Sequence, residues 1–189
     1  HAYSTLAENV AASKAKELVY YGISDHAPAI PGGPHIYHFS NLRAIPSVID
    51  GIRVLKGAEL NILNDQGEVD IPDETLAELD YAIASMHGPC IPKGDEEYYT
   101  NAYLNVMKNP YVKIIGHPDD SRTPVDYEMI VKAAKRTGTL LEINNSSLRP
   151  GYFRQNAHEN LKELLYYCKK YEVMVATGSD AHIDVDAGE

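Results

Sequence analysis

Seven side chains in this sequence have the chemistry and placement of transition-metal ligands: His1, His26, Glu59, His87, His117, Asp180 and His182. Most follow an apolar run that stops at a small residue, as in "ISDHAP" from Ile23, "IIGHPDD" from Ile114 and "TGSDAHID" from Thr177. Imidazole with carboxylate suits zinc, iron or manganese. A carboxylate can bridge two metals and a neutral imidazole cannot, so Glu59, the lone strand-end glutamate among histidines, is the expected bridge. Two metals about 3.5–4 Å apart can hold a hydroxide between them and clamp an in-line phosphoryl displacement. A single histidine at a strand end is more often a hydrogen-bonded core residue. Several at strand ends or motif edges in one chain point instead to a shared metal site.

Other residues could meet a substrate. Arg43, Arg122, Arg149 and Arg154 are able to hold a phosphate by paired hydrogen bonds. Each also reads as a surface charge, and Arg149 and Arg154 lead because they follow the "EINNSS" strand end. His35 and His38 fall in the loop "GGPHIYHF", where contact with substrate competes with plain solvation. Asn144 and Asn145 could orient ligands or cap a strand. His158 reads as a surface residue, and Cys90 as a small buried hydrophobe. There is no GxSxG elbow, no Walker A sequence and no GxGxxG after a strand.

Apolar runs alternate with helical segments. Strands are expected at "LVYYGIS", "IRVLKGAELNIL", "DYAIASMHG", "YVKIIGHPDD", "TLLEINNSS" and "EVMVATGSDAH". Continuous apolar runs imply burial on both faces, as in a parallel sheet. Helices are expected at "STLAENVAASKAKE", with Thr5 and Glu8 at capping-box spacing, and from Ser40 through "NLRAIPSVID". Others are expected at "DETLAEL", "EEYYTNAYLNVMKN", "YEMIVKAAKRTG" with Gly138 as C-cap, and "NAHENLKELLYYCKKY". Alternating units define an α/β chain, either a barrel or a doubly wound sheet. Loaded C-terminal ends on nearly every strand favour the barrel, where all those ends meet at one rim.

The 189 residues suit a single domain, 1–189, with no internal linker or repeat. A net charge of −10 makes a long polyanion a poor partner. Two cysteines without CxxC spacing fit a reducing cytoplasm, and no apolar run is long enough for a membrane span. The chain begins without Met and ends just past its densest polar motif, so an extension at both ends is expected.

The segments "HAYSTL", "GISDHAP", "KGAELNI", "ASMHGP", "IIGHPDD", "LEINNSS" and "GSDAH" resemble, in order and over nearly the whole chain, the PHP (polymerase and histidinol phosphatase) family, and most closely its trinuclear-metal phosphatase branch. The resemblance implies a distorted, TIM-like (β/α)7 barrel and three divalent transition metals, zinc first, with manganese or iron also suited. It implies one metal on His1, His26 and His182, a second on Glu59, His87 and His117, and another on Glu59, Asp180 and an HxH pair. That pair would precede His1, so the barrel is expected to lack its first strand and its closing C-terminal segment in this sequence. The expected activity is hydrolysis of a small phosphate monoester by a metal-bridging hydroxide, with Glu59 and Asp180 holding the metals that carry it. Arg149, Arg154, Arg43 and His38 are the expected substrate contacts. A PHP-type nuclease or phosphodiesterase, and a non-catalytic metal-binding domain, remain the alternatives. Substrate identity and oligomeric state are not written in the sequence.

Overall fold

The computed structural model describes residues 3–189. Six strands run parallel in one sheet: β1 (Tyr20–His26), β3 (Ile52–Asn61), β4 (Tyr81–Ser85), β5 (Val112–Ile115), β6 (Leu140–Asn144) and β7 (Val175–Gly178). They neighbour one another in that order, so the sheet grows across its width in chain order. A parallel sheet needs a crossover after each strand. The crossovers carry α2 (Tyr37–Asn41), α3 (Asp73–Leu76), α4 (Glu96–Val106), α5 (Tyr127–Thr137) and α6 (Ala157–Tyr171), while α1 (Leu6–Ala15) precedes β1. The result is a half-barrel α/β sheet, and the six expected strands are all present.

Local chemistry accounts for the helix ends. Thr5 and Glu8 form the capping box expected for α1. The Asp95 and Asp126 carboxylates accept from the amides of Tyr98 and Met129 at the starts of α4 and α5. Gly138 closes α5 at φ 76°, a left-handed conformation that glycine adopts without steric cost.

One segment differs from expectation. The helix anticipated from Ser40 is replaced by α2, a single 3-10 turn at Leu42–Ala44, and a two-residue strand β2 (Val48–Ile49) antiparallel to β3. Pro46 ends helical continuation, and Asp50-Gly51 reverses the chain with φ values of 50° and 85°. Both positive angles mark a hairpin turn of the type favoured by Asp-Gly. His38 consequently sits on a helix, not in a loop.

Strand alternation sorts the side chains. Ala58, Leu60, Ala82, Ala84, Val112 and Leu141 face outward into the main core. There they meet Tyr103 and Val106 of α4, Ile130 and Ala134 of α5, and Leu161 and Leu164 of α6. Replacing a fully buried leucine such as Leu60 by alanine would cost about 2–5 kcal/mol. The opposite face carries Gly57, Glu59, Asn61, Tyr81, Glu142, Asn144 and Gly178. It opens on a cavity of about 850 Å³ bordered by His26, Glu59, His117, Glu142, Asp180 and His182. The outer face therefore supplies the packing and the inner face supplies the chemistry.

Candidate metal centre

Glu59 lies at the middle of the site. It is the penultimate inward residue of β3, and the strands on either side bring imidazoles to it. Its Oε2 is 3.0 Å from Nδ1 of His26, at the end of β1. Its Oε1 is 3.0 Å from Nε2 of His117 and 3.3 Å from Nε2 of His87. His87 and His117 each stand two residues beyond a strand end, after β4 and β5. The rings crowd together: His26 and His87 meet edge to face with centroids 4.8 Å apart, and His87 and His117 are 5.3 Å apart. Ligand atoms of His26, Glu59 and His87 all lie within 4.8 Å of one another, a group that could hold a metal ion.

The protonation logic fits a cation. Nδ1 of His87 is 2.6 Å from Oδ1 of Asn61, while the Asn61 amide nitrogen is committed to the Ala27 carbonyl and the Asp70 carboxylate. Asn61 therefore offers His87 an acceptor, which puts the ring proton of a neutral His87 on Nδ1. The lone pair on Nε2 then faces a carboxylate oxygen, and two lone pairs converge only on a cation. Burial depresses the proton affinity of His87 further. Burial also pushes the Glu59 carboxyl up, but its imidazole neighbours, His117 first, outweigh burial and hold Glu59 well below the usual carboxylate range. An ionised, buried carboxylate ringed by imidazole nitrogens is a donor set suited to a divalent transition metal.

The last strand supplies a second acidic group. Asp180 and His182 follow β7, and the His182 ring lies 6.2 Å from that of His26. Oδ2 of Asp180 accepts from Nδ2 of Asn144 at 3.2 Å and pairs with Nη2 of Arg154 at 3.2 Å. Its Oδ1 is 3.8 Å from Nδ1 of His182. Arg154 is nearly buried, with its other nitrogen donating to Ser147 at 2.8 Å. Its guanidinium lies 5.4 Å from the ring centre of Tyr152 and 5.4 Å from that of Phe153. One arginine thus borders both the carboxylate and the aromatic rim.

Of the expected ligands, the fold assembles His26, Glu59, His87 and His117 around one carboxylate and places Asp180 and His182 alongside. His1 lies outside the described residues. Among the expected substrate contacts, Arg154 reaches the site. Arg149 instead pairs with Asp186 at 2.8 Å, and Arg43 is an exposed residue of the 3-10 turn. His38 is bound through Nε2 to Asp25 at 2.9 Å. Two inward residues were not anticipated. Asn61 is two positions beyond Glu59 and so shares its face, which strand alternation could have signalled. Glu142 stands on β6 two positions before Asn144, inside a run that reads as a plain apolar strand.

No family model matches the chain. It is 44% identical over 188 residues to a protein of Acetivibrio thermocellus named probable phosphatase, covering all of this chain and 77% of that one. The chain belongs to the family of these probable phosphatases. Two solved structures share the fold. A HisK histidinol-phosphatase-type protein of Listeria monocytogenes superposes with a TM-score of 0.67 at 15% identity, over 99% of this chain and 92% of that one. The histidinol phosphate phosphatase of Lactococcus lactis, determined with zinc, L-histidinol and phosphate, superposes at 0.60 and 17% identity, over 97% and 82%. No helix among the described residues is long and apolar enough to cross a membrane.

Proposed function

We propose that this protein is a metal-dependent phosphatase acting on a small phosphate monoester, on a PHP-type barrel plan that treats residues 1–189 as one domain. The observation that carries the reading is the single carboxylate of Glu59, whose two oxygens face three imidazole nitrogens at 3.0–3.3 Å. The names of its relatives and the zinc- and phosphate-bound Lactococcus structure support the same reading.

Bound divalent metals, zinc foremost, would supply an activated water nucleophile and neutralise charge on the phosphoryl oxygens. Glu59 would be shared between two metals, with His87 and His117 completing one ligand set and Asp180 belonging to the other, while His26 would serve a third. His182, together with His1, would complete the set on His26. Asp180 would bind through Oδ1, because Asn144 and Arg154 already occupy Oδ2. Asn61 keeps the His87 proton on Nδ1 and so presents Nε2 as the donor atom. Arg154 would place a fixed positive charge beside the phosphate oxygens, where charge changes most during transfer. Its guanidinium side chain is itself nearly buried.

The test is zinc and manganese analysis of the purified protein alongside hydrolysis of p-nitrophenyl phosphate, before and after chelation. Bound metal with activity that is lost on chelation and restored by added metal is expected. Undiminished hydrolysis after complete metal removal would overturn the metal-dependent reading.

A further inference from the structure

His117 and Asp180 share a backbone peculiarity. Both adopt positive φ, 30° at His117 and 51° at Asp180, although both carry side chains. Such angles cost a non-glycine residue of order 1–3 kcal/mol and persist only where the surroundings impose them. Both residues belong to the candidate metal centre. Something must hold each one in place.

The same buried carboxylate touches both restraints. Glu142 is 7% exposed and carries no arginine or lysine partner in the described hydrogen bonds. Its Oε2 accepts the backbone N–H of His117 at 2.8 Å and Nδ2 of Asn144 at 3.2 Å. That Asn144 nitrogen also donates to Oδ2 of Asp180 at 3.2 Å. The other oxygen, Oε1, stands over Gly178 on β7, where an added Cβ would come within 2.2 Å of it. A glycine at 178 therefore leaves room for the carboxylate. Holding the N–H fixes the peptide plane before His117, and with it the direction in which the imidazole leaves the backbone. Holding Asn144 fixes the donor that turns Oδ2 of Asp180 away and leaves Oδ1 for coordination.

We propose that Glu142 is a positioning residue that presets His117 and Asp180 for metal. It does not ligate the metal itself. The inference rests on the metal-site reading above and adds a residue to it. Outer groups that orient ligands are worth about 10- to 100-fold in metal affinity.

Four variants test this: Glu142→Ala, Glu142→Gln, Gly178→Ala and the Gly178→Ala/Glu142→Ala double. Zinc affinity is measured by competition with a chromophoric chelator, the ligand field by the visible spectrum of the cobalt(II) protein, and the fold by metal-free melting. Glu142→Ala should lose about 10- to 100-fold in zinc affinity and change the cobalt spectrum. Glu142→Gln keeps an oxygen for both donors and should restore affinity and spectrum. Gly178→Ala displaces the carboxylate and should weaken zinc binding in the same way. In the double variant the space is already vacated, so the second change should add nothing further. Should Glu142→Ala fail to fold, Gly178→Ala and Glu142→Gln still decide the matter: equal zinc affinity and spectrum in wild type and Gly178→Ala would overturn the proposal. So would a Glu142→Ala protein that melts earlier yet binds zinc and shows the cobalt spectrum of wild type, because that is a structural role only. A wild-type protein that binds no zinc or cobalt overturns the metal reading itself, a result distinct from both.

Discussion

Oδ1 of Asn61, on the inner face of β3, lies 2.6 Å from Nδ1 of His87, two residues beyond the end of β4. The contact selects one tautomer of an imidazole that would otherwise sample two. Asn61→Leu keeps the branched shape and removes the acceptor, together with the amide that donates to Ala27 and Asp70. Zinc affinity is expected to fall about 10- to 100-fold, with His87 still present. Titration against a competing chelator checks it, and an unchanged affinity would show that the tautomer is set by something else.

Glu59→Gln should be more damaging than any change at one histidine, because Glu59 would belong to two ligand sets at once. A drop in zinc affinity beyond about 100-fold is expected, with loss of phosphatase activity. Metal bound only to the folded state raises the melting temperature. A chelator should therefore lower the melting temperature of the wild type and leave that of Glu59→Gln nearly unmoved. Equal chelator shifts in the two proteins would contradict Glu59 as the shared ligand.

Arg154→Lys retains the charge and loses the planar fork that spans Ser147 and Asp180. The expected result is a fall in kcat/KM of about 10- to 100-fold, the equivalent of one charged hydrogen bond of about 1.5–3 kcal/mol. Metal content should stay near wild type. Steady-state kinetics beside metal analysis separates this from damage to the metal ligands.

The strands were legible in the sequence because each writes a short, mostly apolar run between helical segments, as in "YAIAS" of β4. The residues of the candidate metal centre stood out because they follow the ends of such runs abruptly. β2 was not legible: two residues carry no period, and the Asp50-Gly51 signal was hidden behind a segment with good helix formers up to Pro46. Arg149 and Arg154 could not be ranked either, since each follows the same strand end. Their difference comes from the turn between them, which sends Arg149 to Asp186 and Arg154 to Asp180. Glu142 was invisible for another reason. Its partner is a backbone amide one crossover away in sequence, and a backbone donor leaves no mark on residue identity.

Gly57 tests the packing of the inner face. A Cβ there would meet ring atoms of Tyr81 at 2.5–2.8 Å, on the adjacent strand. Tyr81 is held in turn by a bond from its hydroxyl to the Ile23 carbonyl at 3.3 Å. Gly57→Ala should destabilise the protein by about 1–3 kcal/mol through overpacking. Urea unfolding of the metal-free protein measures this, and wild-type stability would mean that the ring moves aside freely.

Glu128 on α5 offers a pH-dependent check away from the site. A hydrogen bond from the Tyr171 hydroxyl, then Lys170 and Lys132, holds its carboxyl down to about 2. A depressed carboxyl contributes stability above its unfolded value near 4.5, and that stability is lost as pH falls toward 2. The group is partly exposed at the surface, so the effect is small and screened by salt. The melting difference between wild type and Glu128→Gln should be constant from pH 7 to about pH 5.5 and shrink below about pH 4. A difference that grew on acidification would reverse the sign of this linkage.

The order in which the sheet adds its strands also sets a timetable for the nascent chain. Synthesis runs from the N-terminus, and neighbours in this sheet are neighbours in translation. His26, Glu59, His87 and His117 come from β1, β3, β4 and β5 or the turns that follow them, so the imidazole cup around Glu59 can close while the last two crossovers are still emerging from the ribosome. Asp180 arrives only after β7. An ion captured early would clasp the growing edge of a parallel sheet at its most exposed stage, and the acidic oxygen that completes the site would be delivered last.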